Sequence, residues 1–323
     1  MSDTISIRDR MLGGLWGALV GDALGVPVEF LCRSDVRLNP VTDMRGHGTH
    51  RQPPGTWSDD GALTLCTVDS LIRHEFDTKD MGRRFLSWYR EELWTPHGKL
   101  FDVGVTTADA LQRIACGISV ELAGGDGQFT NGNGSLMRIL PIALRFHREP
   151  AKTIVDRIHR VSAITHRHPR SQMACGLFAL VVRHLLEGAQ PDAAVAHGLD
   201  AFRVQYESHP WWGAEWDYFQ LLLAGNLADL PEQEIKSGGY VIETLAASLW
   251  CLLTTRSFPE CVLKAVNLGG DTDTTGCVAG GLAGVCYGVP AVPKEWQRAL
   301  ARAEDLNGLF NHFVERAVPP AST

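Results

Sequence analysis

The chain has 323 residues, a formal net charge of −7, and a composition that is 45% hydrophobic and 21% charged. This length can bury a large core, and the ordinary globular composition excludes disorder over any long stretch. Proteins that bind mainly the nucleic-acid backbone usually present a basic face. Lys and Arg are scattered here, apart from a small cluster at residues 160–170, so the composition argues against nucleic acid as the main partner.

Cysteine usage and hydropathy bear on the compartment. None of the eight cysteines forms a Cys-x-x-Cys pair, and most have apolar neighbours, which predicts buried free thiols in a reducing environment. The N-terminus lacks a basic region followed by an apolar run, and no stretch of about 18 residues is continuously apolar, so we expect neither a signal peptide nor a membrane span. The predicted location is the cytoplasm.

Helical periodicity dominates the sequence. Apolar residues recur at steps of three and four, beginning with Ile7, Met11, Leu15 and Leu19, whereas strand patterns are sparse. We therefore predict an all-α fold in a single domain over residues 1–323, with candidate loops over a pocket at 36–56 and 203–240. The predicted helices cover residues 7–24, 62–72, 81–92, 106–115, 136–146, 152–161, 171–187, 193–202, 241–254, 258–267, 274–287 and 294–303.

Glycines lie inside two of the apolar helical segments, as at Gly13 and Gly17 in the first and Gly280 and Gly284 in a late one. An interior glycine costs a helix about 1 kcal/mol relative to alanine, so these helices must gain something in return. Close approach of two helices at the centre of a bundle is the physical explanation. We expect these two helices to be neighbours in the core.

Three acidic clusters lie at predicted helix edges beside glycine: residues 21–30, with Asp22 and Glu29, and two further clusters that lie just where a helix begins and share one chemistry. Adjacent carboxylates repel, so grouping them costs energy unless a positive charge lies between them. Each of the two further clusters has two aspartates and at least one hydroxyl, an all-oxygen set that suits Mg²⁺, Mn²⁺ or Ca²⁺ and is wrong for structural zinc. Together they could hold two metal ions about 4 Å apart. The alternative is ordinary N-capping with first-turn acids. The residues are Ser58, Asp59 and Asp60 in the first of these two clusters, and Asp271, Asp273 and Thr274 in the second.

A further segment, residues 131–138, combines Asn, Gly and Ser before the predicted helix at Leu136. Exposed backbone N–H groups at a helix start could cradle a diphosphate, although an ordinary Asn-Gly capping loop is the alternative. Further on, His166 precedes another helix, where a structural role is the common case. A Cys175–histidine nucleophile is disfavoured because nothing in the sequence orients such a pair.

Taken together, these motifs resemble the ADP-ribosylglycohydrolase family, and within it the bacterial enzymes similar to dinitrogenase reductase-activating glycohydrolase. The resemblance runs from about Ile7 to Pro290. Its most specific element is the run Gly269-Gly270-Asp271-Thr272-Asp273-Thr274-Thr275-Gly276. The other motifs are Gly21-Asp22-Ala23-Leu24-Gly25 with Glu29, Ser58-Asp59-Asp60, Asn133-Gly134-Ser135-Leu136-Met137-Arg138 and Thr165-His166.

The resemblance implies an orthogonal multi-helix bundle with a dinuclear Mg²⁺ or Mn²⁺ centre. It assigns the six residues of the two clusters at helix starts as metal ligands, and it places Glu29 beside the metals as a carboxylate that contacts ribose or water. Glu29, Asp60, Asp102 and Asp273 would then carry catalysis. ADP-ribose would contact Asn133, Gly134, Ser135, Leu136, Met137, His166 and Tyr240, with the diphosphate near Gly134 and Ser135.

The segment Phe101-Asp102-Val103-Gly104 matches the arginine-specific relatives, in which an aspartate approaches the target guanidinium. A carboxylate pairs well with a guanidinium, so Asp102 favours ADP-ribosyl-arginine as the substrate, although a loop or capping acid is the alternative. The chain departs from those relatives at Trp57 and in the segment that carries Trp211 and Trp212. Both differences could reshape the mouth of the site and change the target.

Other functions remain open at the level of sequence. The linkage could be ADP-ribosyl-serine, O-acetyl-ADP-ribose or a modified nucleobase. The protein could also be an immunity protein that neutralises an ADP-ribosylating toxin, or a degenerate family member. The complete set of expected metal ligands together with Glu29 argues against degeneracy.

Overall fold

The computed structural model describes residues 5–207 and 210–318. As predicted, the fold is all-α, and within these residues the chain forms α-helices, short 3₁₀ turns and no β-strand. The helices are α1 (Ile7–Gly25), α2 (Arg33–Leu38), α3 (Asp59–Arg73), α4 (Thr78–Glu91), α5 (Val105–Ala115), α6 (Val120–Ala123), α7 (Leu140–Phe146), α8 (Ala151–Ser162), α9 (Pro169–Leu186), α10 (Pro191–Tyr206), α11 (Pro210–Gly213), α12 (Gln220–Leu223), α13 (Val241–Leu253), α14 (Phe258–Val266), α15 (Thr272–Tyr287), α16 (Lys294–Ala299) and α17 (Ala303–Ala317).

Helices α1 and α15 form the centre of the bundle. Both are buried on every side over most of their length, and α3, α7, α9, α13, α14 and α17 pack around them. The segment Ile7–Val28 is long and apolar enough to cross a membrane by composition alone, but 94% of its apolar window is buried inside the protein. It is therefore the core helix of this fold.

Glycines set the distance between α1 and α15, which confirms that the two Gly-rich helices are neighbours. A Cβ atom added at Gly17 would lie 2.2 Å from the carbonyl oxygen of Gly280, and one at Gly21 would lie 1.9 Å from that of Gly276. The same relation joins Gly13 to the carbonyl of Gly284, at 2.2 Å. The two backbones are therefore in direct contact along this row of glycines, the glycine seam, where no residue with a larger side chain fits.

Two predicted helices extend four residues beyond the helices in the structure. The helix predicted from Leu136 begins at Leu140, because residues 134–138 form a turn in which the N–H groups of Leu136 and Met137 donate to the carbonyl of Asn133. Pro141 then takes the first turn of the helix, where its missing N–H costs nothing. The expectation of a helix start at Leu136 is therefore wrong.

The helix predicted over residues 294–303 begins at Lys294 as predicted but ends early, at Ala299, so its predicted C-terminal end is wrong. The Ala301 N–H donates to the carbonyl of Gly55, and Arg302 has a left-handed backbone with φ of 52°. A separate helix, α17, follows and was not predicted, although Leu306 and Phe310 show helical spacing and are buried.

The two predicted loop segments are mostly irregular. Residues 36–56 contain the end of α2 and a 3₁₀ turn at Gly48–His50, while residues 203–240 contain the end of α10 and several short helical pieces. The side chain of Trp211 lies outside the described residues. All eight cysteines are free, and all except Cys32 and Cys116 are buried, in agreement with the predicted buried thiols.

We predict that Gly17→Ala lowers the free energy of unfolding by about 3 kcal/mol, because its Cβ would overlap the Gly280 carbonyl and force the two helices apart. Chemical denaturation measures this loss. The matched control is Gly308→Ala on the exposed face of α17, where an added Cβ meets nothing within 4 Å and should stabilise by about 1 kcal/mol. Equal stability of the two variants would contradict the seam.

Candidate metal centre and ligand cleft

The N-termini of α3 and α15 lie side by side, near one end of the glycine seam. Ser58 caps α3 through a hydrogen bond from the Asp60 N–H to its hydroxyl, 3.2 Å. The buried Asp22 carboxylate of α1 accepts the backbone N–H groups of Ser58, at 2.9 Å, and of Gly61, at 2.8 Å. Asp22 therefore fixes the start of α3 to α1. The sequence pattern assigns Asp22 no role of its own, although a charged residue within an apolar helix is a visible signal.

Four aspartates meet at these helix starts. Asp59 and Asp60 lie in the first turn of α3, Asp271 is the N-cap of α15, and Asp273 follows in its first turn. Burial raises the pKa of Asp59, Asp60 and Asp273 well above the ordinary value, and the neighbouring carboxylates raise it further. The cluster is therefore unfavourable when ionised with nothing positive inside it.

Several carboxylate oxygens of this cluster have no partner. Among the described residues, no hydrogen bond reaches the buried atoms Asp60 Oδ2, Asp271 Oδ1 and Asp273 Oδ2. Thr274 Oγ1 donates to the other Asp60 oxygen at 3.4 Å. Buried polar atoms are almost always satisfied, so these orphaned oxygens call for an absent partner. Their chemistry fits hard divalent cations, which prefer carboxylate and hydroxyl oxygens.

A cleft of about 250 Å³ lies over the cluster. The structure brings most of the sequence-predicted site residues to its lining: Glu29, Asp59, Asp60, Asp102, Asn133, Gly134, Met137, His166, Asp271 and Thr274. Ser58 and Asp273 are buried and do not line it, and Leu136 is fully buried in the core. Most of the sequence-predicted residues therefore line one cleft, while Ser58, Asp273 and Leu136 are buried and do not reach it.

The predicted diphosphate cradle is a turn rather than a helix N-terminus. Within residues 5–207 and 210–318, no protein acceptor receives the backbone N–H groups of Gly134 and Ser135. Asn133 ties this turn to the acidic cluster, because its side-chain amide donates to Asp271 Oδ2 at 2.9 Å. The Ser135 hydroxyl is fully buried and accepts a hydrogen bond from Ser162 at 2.9 Å, so only its backbone is available to a ligand.

A buried guanidinium supports the cradle from behind. Arg138 donates to the Gly134 carbonyl and to Thr165 Oγ1, the latter at 2.8 Å, and burial lowers its pKa to about 10. His166 lines the cleft next to Gly134, and its Nδ1 shares a hydrogen bond of 2.8 Å with the Thr165 hydroxyl. Burial lowers the pKa of His166 to about 3, so the imidazole is neutral at physiological pH.

Tyr240 does not line this cleft. It lies in an adjoining cavity that shares Gly132 and Gly239 with the cleft and is also lined by Arg170 and Tyr218. The guanidinium of Arg170 lies 3.3 Å from the ring centroid of Tyr218 and 5.9 Å from that of Tyr240.

A second group of titratable residues consists of Glu29 and Asp102, which line the cleft, and His50 beside them. Burial raises the pKa of Glu29 to about 7 and also raises that of Asp102, which has a left-handed backbone with φ of 48°. His50 hydrogen-bonds to the Glu29 carboxylate, and its ring lies 5.3 Å from that of Phe101. Sequence reasoning missed His50, because it lies in an irregular segment with no motif around it.

The fold and the site define an all-helical protein whose cleft ends in buried carboxylates at two helix N-termini. Among solved structures, a chain of an ADP-ribosylglycohydrolase-related protein complex is 35% identical and superimposes with a TM-score of 0.82, which covers 97% of this chain and 99% of that one. The ADP-ribosylglycohydrolase family profile matches residues 3–321. The chain therefore belongs to the ADP-ribosylglycohydrolase family of hydrolases.

Two curated relatives carry more specific names. The ADP-ribosylarginine hydrolase Tri1 of Pseudomonas putida (strain GB-1) is 31% identical over 313 residues, which is 96% of this chain and 79% of that protein. The ADP-ribosyl-[dinitrogen reductase] glycohydrolase of Rhodospirillum rubrum is 31% identical over 296 residues, 90% of each chain.

We predict that Mg²⁺ or Mn²⁺ raises the melting temperature of metal-free protein more at about pH 8 than at about pH 5.5. Carboxylates with raised pKa values stabilise the fold when protonated, and this contribution is lost as pH rises through the folded-state pKa, about 7 for Asp22 and Glu29. Cations bound among the ionised groups restore it. Thermal melts with metal and with chelator test this, and an equal metal effect at both pH values would contradict it.

Proposed function

We propose that this protein hydrolyses the bond between ADP-ribose and a protein side chain, with ADP-ribosyl-arginine as the preferred substrate. The orphaned carboxylate cluster at the base of the cleft carries the proposal. Two further features support it: the unpaired backbone N–H groups of the Gly134 turn, which suit a diphosphate, and the arginine linkage in the name of the similar Tri1 enzyme.

The donors suit two Mg²⁺ or Mn²⁺ ions. The proposed ligands are the oxygens of Ser58, Asp59, Asp60, Asp271, Asp273 and Thr274, which all belong to the starts of α3 and α15. When bound, such ions act as Lewis acids that stabilise developing negative charge and lower the pKa of water. We assign catalytic importance to Asp60 and Asp273, since each is a fully buried carboxylate in the first turn of its helix and holds an orphaned oxygen.

The remaining groups would each contact a different part of the ADP-ribose. Glu29 lines the cleft beside Asp271 and Asp273, with one oxygen of each carboxylate within 4.8 Å of the others, so it is placed to hold a ribose hydroxyl or a water. The turn at Asn133, Gly134 and Ser135 would bind the diphosphate. His166, whose imidazole is neutral, lines the cleft and would pack against the ADP-ribose.

Asp102 is the proposed contact for the leaving group. Burial and the neighbouring carboxylate of Asp271 raise its pKa, and a bound guanidinium would supply the missing positive charge in a bidentate ion pair. Hydrolysis of such linkages would also reverse the damage of an ADP-ribosyltransferase toxin. The modified targets of a toxin are therefore candidate partners, and the expected location is the cytoplasm.

The direct experiment measures ADP-ribose release from an arginine-ADP-ribosylated protein with Mg²⁺, with Mn²⁺ and with chelator. Metal-dependent release is expected, and Asp59→Ala or Asp273→Ala should abolish turnover while the fold survives. Asp109→Ala is the control, because this aspartate is exposed on α5 and lies outside the cluster. Near-normal turnover in a variant that combines Asp59→Ala with Asp273→Ala would contradict the metal proposal.

A second measurement tests the linkage. Asp102→Asn should lower kcat/KM for an arginine-linked substrate by about 100-fold, within the range for losing one partner of a buried charge pair, and should affect a serine-linked substrate far less. Equal losses on both substrates would assign Asp102 a general role and leave the arginine preference without support.

A further inference from the structure

The segment between Glu29 and the α3 acidic cluster returns to Glu29 through a tight turn. Its Thr49 hydroxyl donates to the backbone carbonyl of Glu29 at 2.7 Å, and the adjacent His50 hydrogen-bonds through Nε2 to Glu29 Oε2. Two consecutive residues therefore bind the main chain and the side chain of one glutamate. On its other side, the Phe30 N–H donates to the Gly270 carbonyl at 2.7 Å, which joins Glu29 to the loop before α15.

The turn adopts a costly backbone conformation in order to reach Glu29. His47, Gly48 and Arg51 all have positive φ values, of 69°, 56° and 56°. A Cβ added at Gly48 would lie 1.8 Å from the carbonyl oxygen of Pro27, so only glycine fits there. Backbone strain of this kind persists only where the surroundings over-determine it, and it concentrates at functional sites.

The hydrogen bond from His50 occupies one carboxylate oxygen of Glu29 and leaves the other oxygen free. Among the described residues, Glu29 Oε1 has no hydrogen-bond partner, while the side chain lines the cleft. The His50 ring is held in turn by aromatic neighbours, 5.3 Å from the Phe101 ring and 6.0 Å from the Phe30 ring. Because Phe101 precedes Asp102, the same imidazole also contacts the segment that carries the proposed leaving-group residue.

We propose that His50 is a positioning residue of the active site: it holds Oε2 of Glu29 so that Oε1 faces the reacting end of the substrate. This inference rests on the proposed hydrolase activity and extends it to a residue outside the family motifs. A mobile Glu29 would still allow ADP-ribose to bind, because among the described residues the proposed diphosphate cradle at the Gly134 turn makes no hydrogen bond to Glu29 or His50. It would lose orientation in the reacting complex, where misplacement by about 1 Å costs about 100-fold in rate.

The test compares steady-state kinetics of His50→Ala and His50→Gln on the arginine-linked substrate. We expect His50→Ala to lower kcat by about 10–100-fold with KM and ADP-ribose affinity within about threefold of the parent. His50→Gln should recover most of the loss, because the glutamine amide can place a donor where Nε2 lies. His47→Gly is the control, since this exposed histidine is in the same turn and glycine adopts its positive φ without steric cost. An unchanged kcat in His50→Ala, or a loss confined to KM, would overturn the proposal.

A double-mutant cycle of melting temperatures, the thermal cycle, tests the contact between His50 and Glu29 without any measurement of turnover. If His50 and Glu29 act as a pair, the melting-temperature shift of His50→Ala combined with Glu29→Gln differs from the sum of the two single shifts. Additive shifts would overturn the pairing. A parent protein that releases no ADP-ribose from any linkage would refute the proposed function instead, and the thermal cycle would still decide the pairing.

Discussion

Backbone contact between α1 and α15 is the constraint on which the rest of the structure depends. Gly17 and Gly21 on one helix face Gly280 and Gly276 on the other at distances that exclude a single Cβ atom. This contact fixes the start of α15, which carries Asp271 and Asp273, relative to α1. Asp22 on α1 then fixes the start of α3, and Asp273 at the start of α15 lies against Gly25.

The site combines this rigidity with unfavourable electrostatics. Several carboxylates are gathered in a buried space where desolvation and mutual repulsion raise their pKa values, and three of their oxygens have no partner among the described residues. Helix N-termini offset only part of this cost, since each supplies about half a positive charge. A fold that maintains such a cluster gains from it only when cations bind, which is why the proposed function depends on metal.

The sequence indicated most of the fold and the floor of the site because both depend on local patterns. Helical periodicity predicted the C-terminal end of α1 to within one residue. The acidic clusters were predicted at helix starts, and they lie at the starts of α3 and α15. Elements fixed by distant contacts were missed. The turn at residues 134–138 replaces a predicted helical turn, and the interruption before α17 depends on a hydrogen bond to Gly55. His50 is 21 residues from Glu29, and only a left-handed turn brings them together.

Metal binding to the chain itself tests the central claim most directly. Calorimetric titration of Mn²⁺ into the metal-free protein should show saturable binding of two ions per chain. Asp60→Asn and Asp273→Asn, which keep side-chain volume while removing the charge of a carboxylate with an orphaned oxygen, should each lose at least one ion. Absence of saturable binding, or an unchanged stoichiometry in both variants, would contradict the account and assign the cluster a role that needs no cation.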